Sequence, residues 1–218
     1  MRLKRLSEHI IYCDNFLPQH KYDEIYMDIL ENRNKFQIEV WNDPHNENPH
    51  QQFLNQNCGG FGFWYGREEI KEMKTTPILS LKDWFFHQGI FSFAMQENMK
   101  MFDLMTRSIS YSIHNICYNN GGYYNWHKDS TDGTIFTFNL VLNKGDTLSG
   151  GDMLFMDNGQ IIELENRDNC MVVFPSWVDH SISPIKSKDN KDVPFLEQRF
   201  SIQYWVRLNA IISIIKFY

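Results

Sequence analysis

No apolar run in the 218-residue chain approaches the roughly 18 residues that suggest a membrane span. Cysteine is scarce, and Cys13, Cys58, Cys117 and Cys170 are widely spaced with no CxxC pair. Three of them sit in strand-like apolar surroundings, so they read as buried free thiols of a reducing compartment and not as a disulfide framework. Excess positive charge is missing too: 21 Lys and Arg face 27 Asp and Glu, for a net charge of -6. That balance argues against a generic nucleic-acid binder, whose affinity comes from clustered cations, although a local basic patch stays open. Neither an internal repeat nor a low-complexity linker divides the chain. The basic start, "MRLKRLSEHIIYCDNFL", has an apolar stretch broken by Glu8, His9 and Asp14. It reads as a first structural element and not a signal peptide, which predicts a cytoplasmic protein with no membrane partner.

What is present suits a packed globular domain: 42% hydrophobic and 15% aromatic residues on a chain long enough to bury a sizeable core. One domain over residues 1–218 is expected, with 1–104 as mixed helical support and 105–207 as a β core. Pro18 opens a helix in "LPQHKYDEIYMDILENRN", where Tyr22, Ile25, Tyr26 and Ile29 recur at helical spacing. "KFQIEVW" reads as one short strand. Residues 42–66 read as a long polar, then Gly-aromatic loop with room for a hairpin, and a loop of that length is a candidate lid. His45 and His50 within it are ordinary loop histidines by default. "PILSLKDWFFHQGIFSFAMQENMKMF" reads as helix interrupted near Gly89. From Arg107 onward short strands alternate with turns such as Asn-Asn-Gly-Gly and Ser-Gly-Gly. The expected fold is mostly β with helices (α+β), a jelly-roll core with helices packed on one sheet.

Alternation assigns faces, because successive strand side chains point to opposite sides. In "TIFTFNLVLN", Phe136, Phe138, Leu140 and Leu142 make one apolar face, and Ile135, Thr137, Asn139 and Val141 the other. In "RFSIQYWV", Phe200, Ile202, Tyr204 and Val206 alternate with Arg199, Ser201, Gln203 and Trp205. The polar faces either line a pocket or meet water, as antiparallel sheets allow.

"YNWHKDS" sets His127 and Asp129 two residues apart on one extended face. Iron(II) that activates oxygen is held by two histidines and one carboxylate, with the remaining positions open. His180, in "FPSWVDHSISPI", is the best third ligand. His9 and His20 are N-terminal, His87 lies in the helical segment and His114 sits on the preceding strand. A dicarboxylate cosubstrate also needs a fixed cation, and the planar guanidinium of Arg199 suits it.

This order, His127-x-Asp129, then His180, then Arg199-Phe-Ser201, resembles the 2-oxoglutarate- and Fe(II)-dependent oxygenases, in particular their prolyl 4-hydroxylase-like branch. "CYNNGGYYNWHKD" is similar to that branch's Tyr-x-x-Gly-x-x-Tyr-x-x-His-x-Asp, and "FNLVLNKGDTLSGGDMLF" and "VVFPSWVDHSISPI" resemble its flanking segments. The likeness covers about residues 105–207. It implies a double-stranded β-helix with His127, Asp129 and His180 on iron and Arg199 on the far carboxylate of 2-oxoglutarate. Tyr118, Tyr124 and Asn139 would line the pocket, with Ser201 and Gln203 beside the arginine. The insert "KSKDNKDVPFLEQ" lengthens the usual gap before Arg199. It reads as a polar hairpin and makes Arg207 the fallback clamp.

The implied cofactors are Fe(II), 2-oxoglutarate as cosubstrate and O₂, with ascorbate as an accessory reductant. The implied reaction couples decarboxylation of 2-oxoglutarate to succinate with hydroxylation of an unactivated C–H bond. The branch points to a peptidyl proline or a related peptide, protein, amino-acid or other small-molecule substrate. The carboxylate of Asp129 argues against a halogenase, which needs that position for halide. The alternatives are a nucleic-acid oxidative demethylase on the same barrel, which the acidic charge disfavours, and an inactive barrel used as a binding module. Oligomeric state is not legible.

Overall fold

The computed structural model describes residues 1–42, 52–54, 57–65, 76–87, 89–130 and 133–208. In chain order the first strands are β1 (Arg2–Arg5), β2 (Ile11–Asp14), β3 (Gln37–Ile38), β4 (Val40–Asn42), β5 (Gln52–Leu54) and β6 (Phe61–Tyr65). Then come β7 (Ser108–Tyr118), β8 (Tyr124–His127), β9 (Thr134–Leu142), β10 (Leu148–Ser149) and β11 (Met153–Asp157). The series ends with β12 (Gln160–Leu164), β13 (Cys170–Pro175), β14 (Asp179–Ile182), β15 (Lys186–Ser187) and β16 (Arg199–Leu208). The helices are α1 (Gln19–Glu31), α2 (Pro77–His87) and α3 (Ile90–Gln96).

Eight strands form one sheet in the order β1-β2-β13-β9-β16-β7-β6-β3, and four form a second in the order β12-β11-β14-β8. The mostly β architecture, with antiparallel sheets and helices on one of them, is the expected jelly roll. β9 lies between β13 and β16, and all nine of its residues are buried. Its Phe136, Phe138, Leu140 and Leu142 share a cluster with Ile25 and Ile29 of α1, Ile78 and Leu81 of α2, and Ile90 and Ala94 of α3. Each such side chain contributes about 1.5–3 kcal/mol when fully buried. Its opposite face meets the second sheet, where Val141, Val172 and Phe174 pack with Phe155 and Ile182. That face is the barrel interior, and the polar residues of β9 and β16 point into it instead of into water.

Local rules account for the helical layer. Pro18 caps α1, and Tyr22, Ile25, Tyr26 and Ile29 form its buried stripe. Asp28, also buried, accepts hydrogen bonds from the Ile78 backbone at 2.9 Å and the Asn32 side chain at 2.7 Å, joining α1 to the start of α2. Gly89, at φ 73°, separates α2 from α3 at the expected break. All four cysteines are buried and unbridged.

Three segments depart from the sequence reading. "KFQIEVW" forms two strands: β3 pairs with β6 on the edge of the large sheet, while β4 pairs with β5. The Gly-aromatic stretch at 61–65, read as loop or hairpin, is β6, a strand of the large sheet paired along β7. Its glycine weakens the strand signal, and a close tertiary approach requires that glycine. The insert before Arg199 does not pair with itself. Its β15 pairs with β10, and Asn120 and Asn119 accept hydrogen bonds from Ser187 and Val193 at 3.0 and 3.1 Å. Phe195 then seats against Phe36 and Phe200. Of the candidate lid, residues 43–51, 55–56 and 66 lie outside the described residues, His45 and His50 among them, as does the apolar end at 209–218.

Candidate active site

β8 and β14 run antiparallel in the small sheet, and their register sets His127 opposite His180. Asp129 follows β8 and is tied down by its backbone N–H, which donates to the Ser176 carbonyl at 2.9 Å. The ligand atoms of all three side chains lie within 4.8 Å of one another. His127 Nε2 stands 3.6 Å from Asp129 Oδ1, and His180 Nε2 stands 3.5 Å from Asp129 Oδ2.

Protonation favours coordination. Each histidine donates its Nδ1 hydrogen to a carbonyl, His127 to Asn125 at 2.8 Å and His180 to Val178 at 3.0 Å. A neutral ring in that tautomer carries a lone pair on Nε2, and both Nε2 atoms are buried with no hydrogen-bond partner. Burial, reinforced by the neighbouring His180, pushes the His127 imidazole down to about 4. Asp129 Oδ2 accepts the Thr137 hydroxyl at 2.6 Å. The Tyr124 ring stacks on His127 at 3.8 Å, and Phe174 meets His180 edge-on at 4.7 Å.

Arg199 is 0% exposed. Its Nη1 donates to Ser201 Oγ at 2.7 Å and its Nε to Asn166 Oδ1 at 3.2 Å, while Nη2 has no partner. No carboxylate among the described residues forms an ion pair with it. Burial accordingly lowers its pKa, against the opposing influence of Tyr118, Cys170 and Asp152. The Tyr118 ring lies 5.4 Å from the guanidinium carbon, and its hydroxyl is buried without a partner. A small cavity bordered by Arg199, Asn166, Val141, Met153 and Val172 opens beside it. A buried cation without a counter-ion is costly, and a bound carboxylate would supply what is missing.

Register places the other sequence-derived candidates on the same interior face. Gln203 pairs with Asn139, and each keeps a buried side-chain oxygen without a partner. Asn139 also donates to the Met153 sulfur at 3.3 Å. Arg207 lies at the far end of β16, opposite Thr134. Sequence reasoning missed three supports. Thr137 was legible as an inward polar residue, though its bond to Asp129 was not. Asn166 sits in a loop without periodicity. Gly151 is in the left-handed region at φ 76°, and a Cβ there would stand 2.9 Å from Arg199 Cδ.

The jelly-roll barrel thus gathers His127, Asp129 and His180, a group able to hold one metal ion, and a buried arginine with an unpartnered Nη2. Residues 113–207 match the family model of the 2OG-Fe(II) oxygenase superfamily. That superfamily implies Fe(II), 2-oxoglutarate and O₂, which the donor set fits. The fold is similar to a Pseudomonas putida prolyl-4-hydroxylase, at 16% identity and TM-score 0.58 over 92% of this chain and 93% of that one. It is likewise similar to a Trichoplax adhaerens prolyl hydroxylase solved with a hypoxia inducible factor peptide fragment, at 15% identity and TM-score 0.61, covering 92% and 84%. OsALKBH1 matches at 12% identity and TM-score 0.55, covering 95% and 100%. No curated protein matches by sequence. No helix among the described residues is long and apolar enough to cross a membrane.

Proposed function

We propose that the protein is an Fe(II)- and 2-oxoglutarate-dependent hydroxylase, with residues 1–218 forming one oxygenase domain. Its proposed substrate is a peptidyl proline or a related peptide or amino acid. The single observation that carries the reading is the buried Arg199 guanidinium, lacking a carboxylate partner, in the same barrel as two inward histidine lone pairs and a carboxylate.

In this reading His127, Asp129 and His180 hold the iron. Bound iron supplies O₂ activation coupled to loss of CO₂ from 2-oxoglutarate, so that one oxygen atom enters succinate and the other the substrate C–H bond. Arg199 and Ser201 orient the far carboxylate of the cosubstrate, and the Tyr118 hydroxyl donates to it. Asn139 and Gln203 line the channel toward the metal. Thr137 keeps Asp129 aimed, and the apolar surroundings of His180 exclude water. Tyr124 fixes the plane of the His127 ring. Ascorbate would serve as reductant when the iron is oxidised without turnover.

Two measurements test this. Calorimetry with Mn(II) should give one site, lost in His127→Ala and Asp129→Ala. Arg199→Met should weaken 2-oxoglutarate binding while sparing metal affinity. Loss in Arg207→Met with none in Arg199→Met would reverse the clamp assignment.

A further inference from the structure

A second buried polar cluster lies on the barrel's interior face beyond the metal and cosubstrate groups. Glu39, between β3 and β4, meets His114 of β7 with Oε2 3.2 Å from Nε2. They are 8% and 2% exposed. Trp64 of β6 lies flat on the His114 ring, 4.1 Å away at 7°, and stays 42% exposed. Trp205 of β16 closes the other side, 5.0 Å from Trp64 and 5.9 Å from His114 between ring centroids. Gly62 makes room for the pair, since a Cβ there would overlap Glu39 Oε2 and approach His114 Nε2 to 2.6 Å.

The cluster is in register with the active site. Gln203 is opposite both His114 and Asn139, and Trp205 is opposite Thr137, whose hydroxyl holds Asp129. Two strand spacings separate β9 from β7, so the pair sits roughly 10 Å across the barrel from the support of the metal. Its buried polar atoms without a hydrogen-bond partner are His114 Nδ1 and Nε2, Gln203 Oε1 and Trp205 Nε1. Whichever nitrogen of a neutral His114 ring carries the hydrogen, the other is an unfilled acceptor, and Gln203 Oε1 is a second. Each such group left unpaired costs about 1–3 kcal/mol, which a bound partner would relieve. A carboxylate, two orphan acceptors and tryptophan faces together suit a cation.

We propose that this pocket binds a primary ammonium or guanidinium of the substrate. The enzyme then oxidises a cationic peptide or amino acid, whose charged group meets Glu39 and the tryptophan faces. The proposal rests on the oxygenase reading and narrows its substrate. The net charge of -6 favours approach of such molecules.

The test uses wild-type protein with Fe(II), 2-oxoglutarate and O₂. Short proline peptides containing Lys or Arg are compared with the same peptides carrying norleucine or Glu, and with free lysine and arginine, with oxygen insertion read by mass spectrometry. The basic peptides or amino acids should show kcat/KM at least about tenfold above the norleucine forms. Turnover of the free amino acids would assign the cation to a small molecule, and turnover of the peptides alone to a peptide. Glu39→Gln should raise KM for the basic substrates about ten- to a hundredfold with little change in kcat, and retained Mn(II) affinity shows that this variant is folded. Equal turnover of Lys and norleucine peptides, or an unchanged KM in Glu39→Gln, overturns the proposal. Succinate formed without any product across the panel overturns it while leaving the oxygenase reading intact. Absence of both succinate and Mn(II) binding removes the oxygenase reading, and this proposal with it.

Discussion

Thr137 shows how much the proposed metal site depends on a side chain outside the His127-Asp129-His180 set. Its hydroxyl reaches Asp129 Oδ2 at 2.6 Å inside the barrel, fixing the orientation of the carboxylate. Thr137→Val preserves shape and removes that bond, so metal affinity should fall about ten- to a hundredfold, measured by Mn(II) calorimetry. An unchanged affinity would mean that the Asp129 backbone anchor to Ser176 suffices. His127 offers a second residue-scale test. Its folded pKa of about 4 lies below the ordinary 6.5. Between those values the unfolded chain binds the proton and the folded chain does not, so metal-free protein loses stability as pH falls from 6.5 toward 4. NMR of the His127 ring should show the titration near 4. A midpoint near 6.5 would mean that the imidazole is not held dry.

At the scale of elements, the turn before β11 packs against Arg199, the proposed cosubstrate clamp. Gly151→Ala forces a left-handed alanine into contact with Arg199 Cδ and Asn166. It should cost about 1–2 kcal/mol in stability by denaturant titration. Because the contact is with Arg199, it should also weaken 2-oxoglutarate binding more than metal binding. Equal loss of both would mark the turn as a general structural support. Element-scale features divide sharply in how legible they were. The period-2 patterns of β9 and β16 exposed their inward Thr, Asn, Ser and Arg because both faces of those strands are buried. β6 was obscure because Gly62 serves a tertiary contact that strand propensity cannot reveal. Glu39 was invisible for a related reason: its partner His114 is 75 residues away in sequence and was set aside as a metal ligand. The insert before Arg199 was misread because its pairing partner, β10, lies outside it.

Across the whole molecule, the buried Arg199 guanidinium has no carboxylate partner among the described residues, and that has a thermodynamic consequence. At a hundredfold excess over its Kd, 2-oxoglutarate with Mn(II) should stabilise the fold by about 2.7 kcal/mol. For a chain of this size that is about 5–10 °C in Tm. Arg199→Met should equal or exceed the wild-type apo Tm, since it removes an uncompensated buried charge, yet show almost no shift with 2-oxoglutarate. A large ligand shift retained in this variant would place the cosubstrate elsewhere. The central claim is oxidative turnover at the His127-Asp129-His180 centre. Succinate release from 2-oxoglutarate, measured with Fe(II) and O₂, tests it most directly. The account predicts succinate from wild-type protein and none above background from Asp129→Ala that retains its fold. Equal succinate from both proteins, or none from wild-type protein loaded with Fe(II), would contradict it.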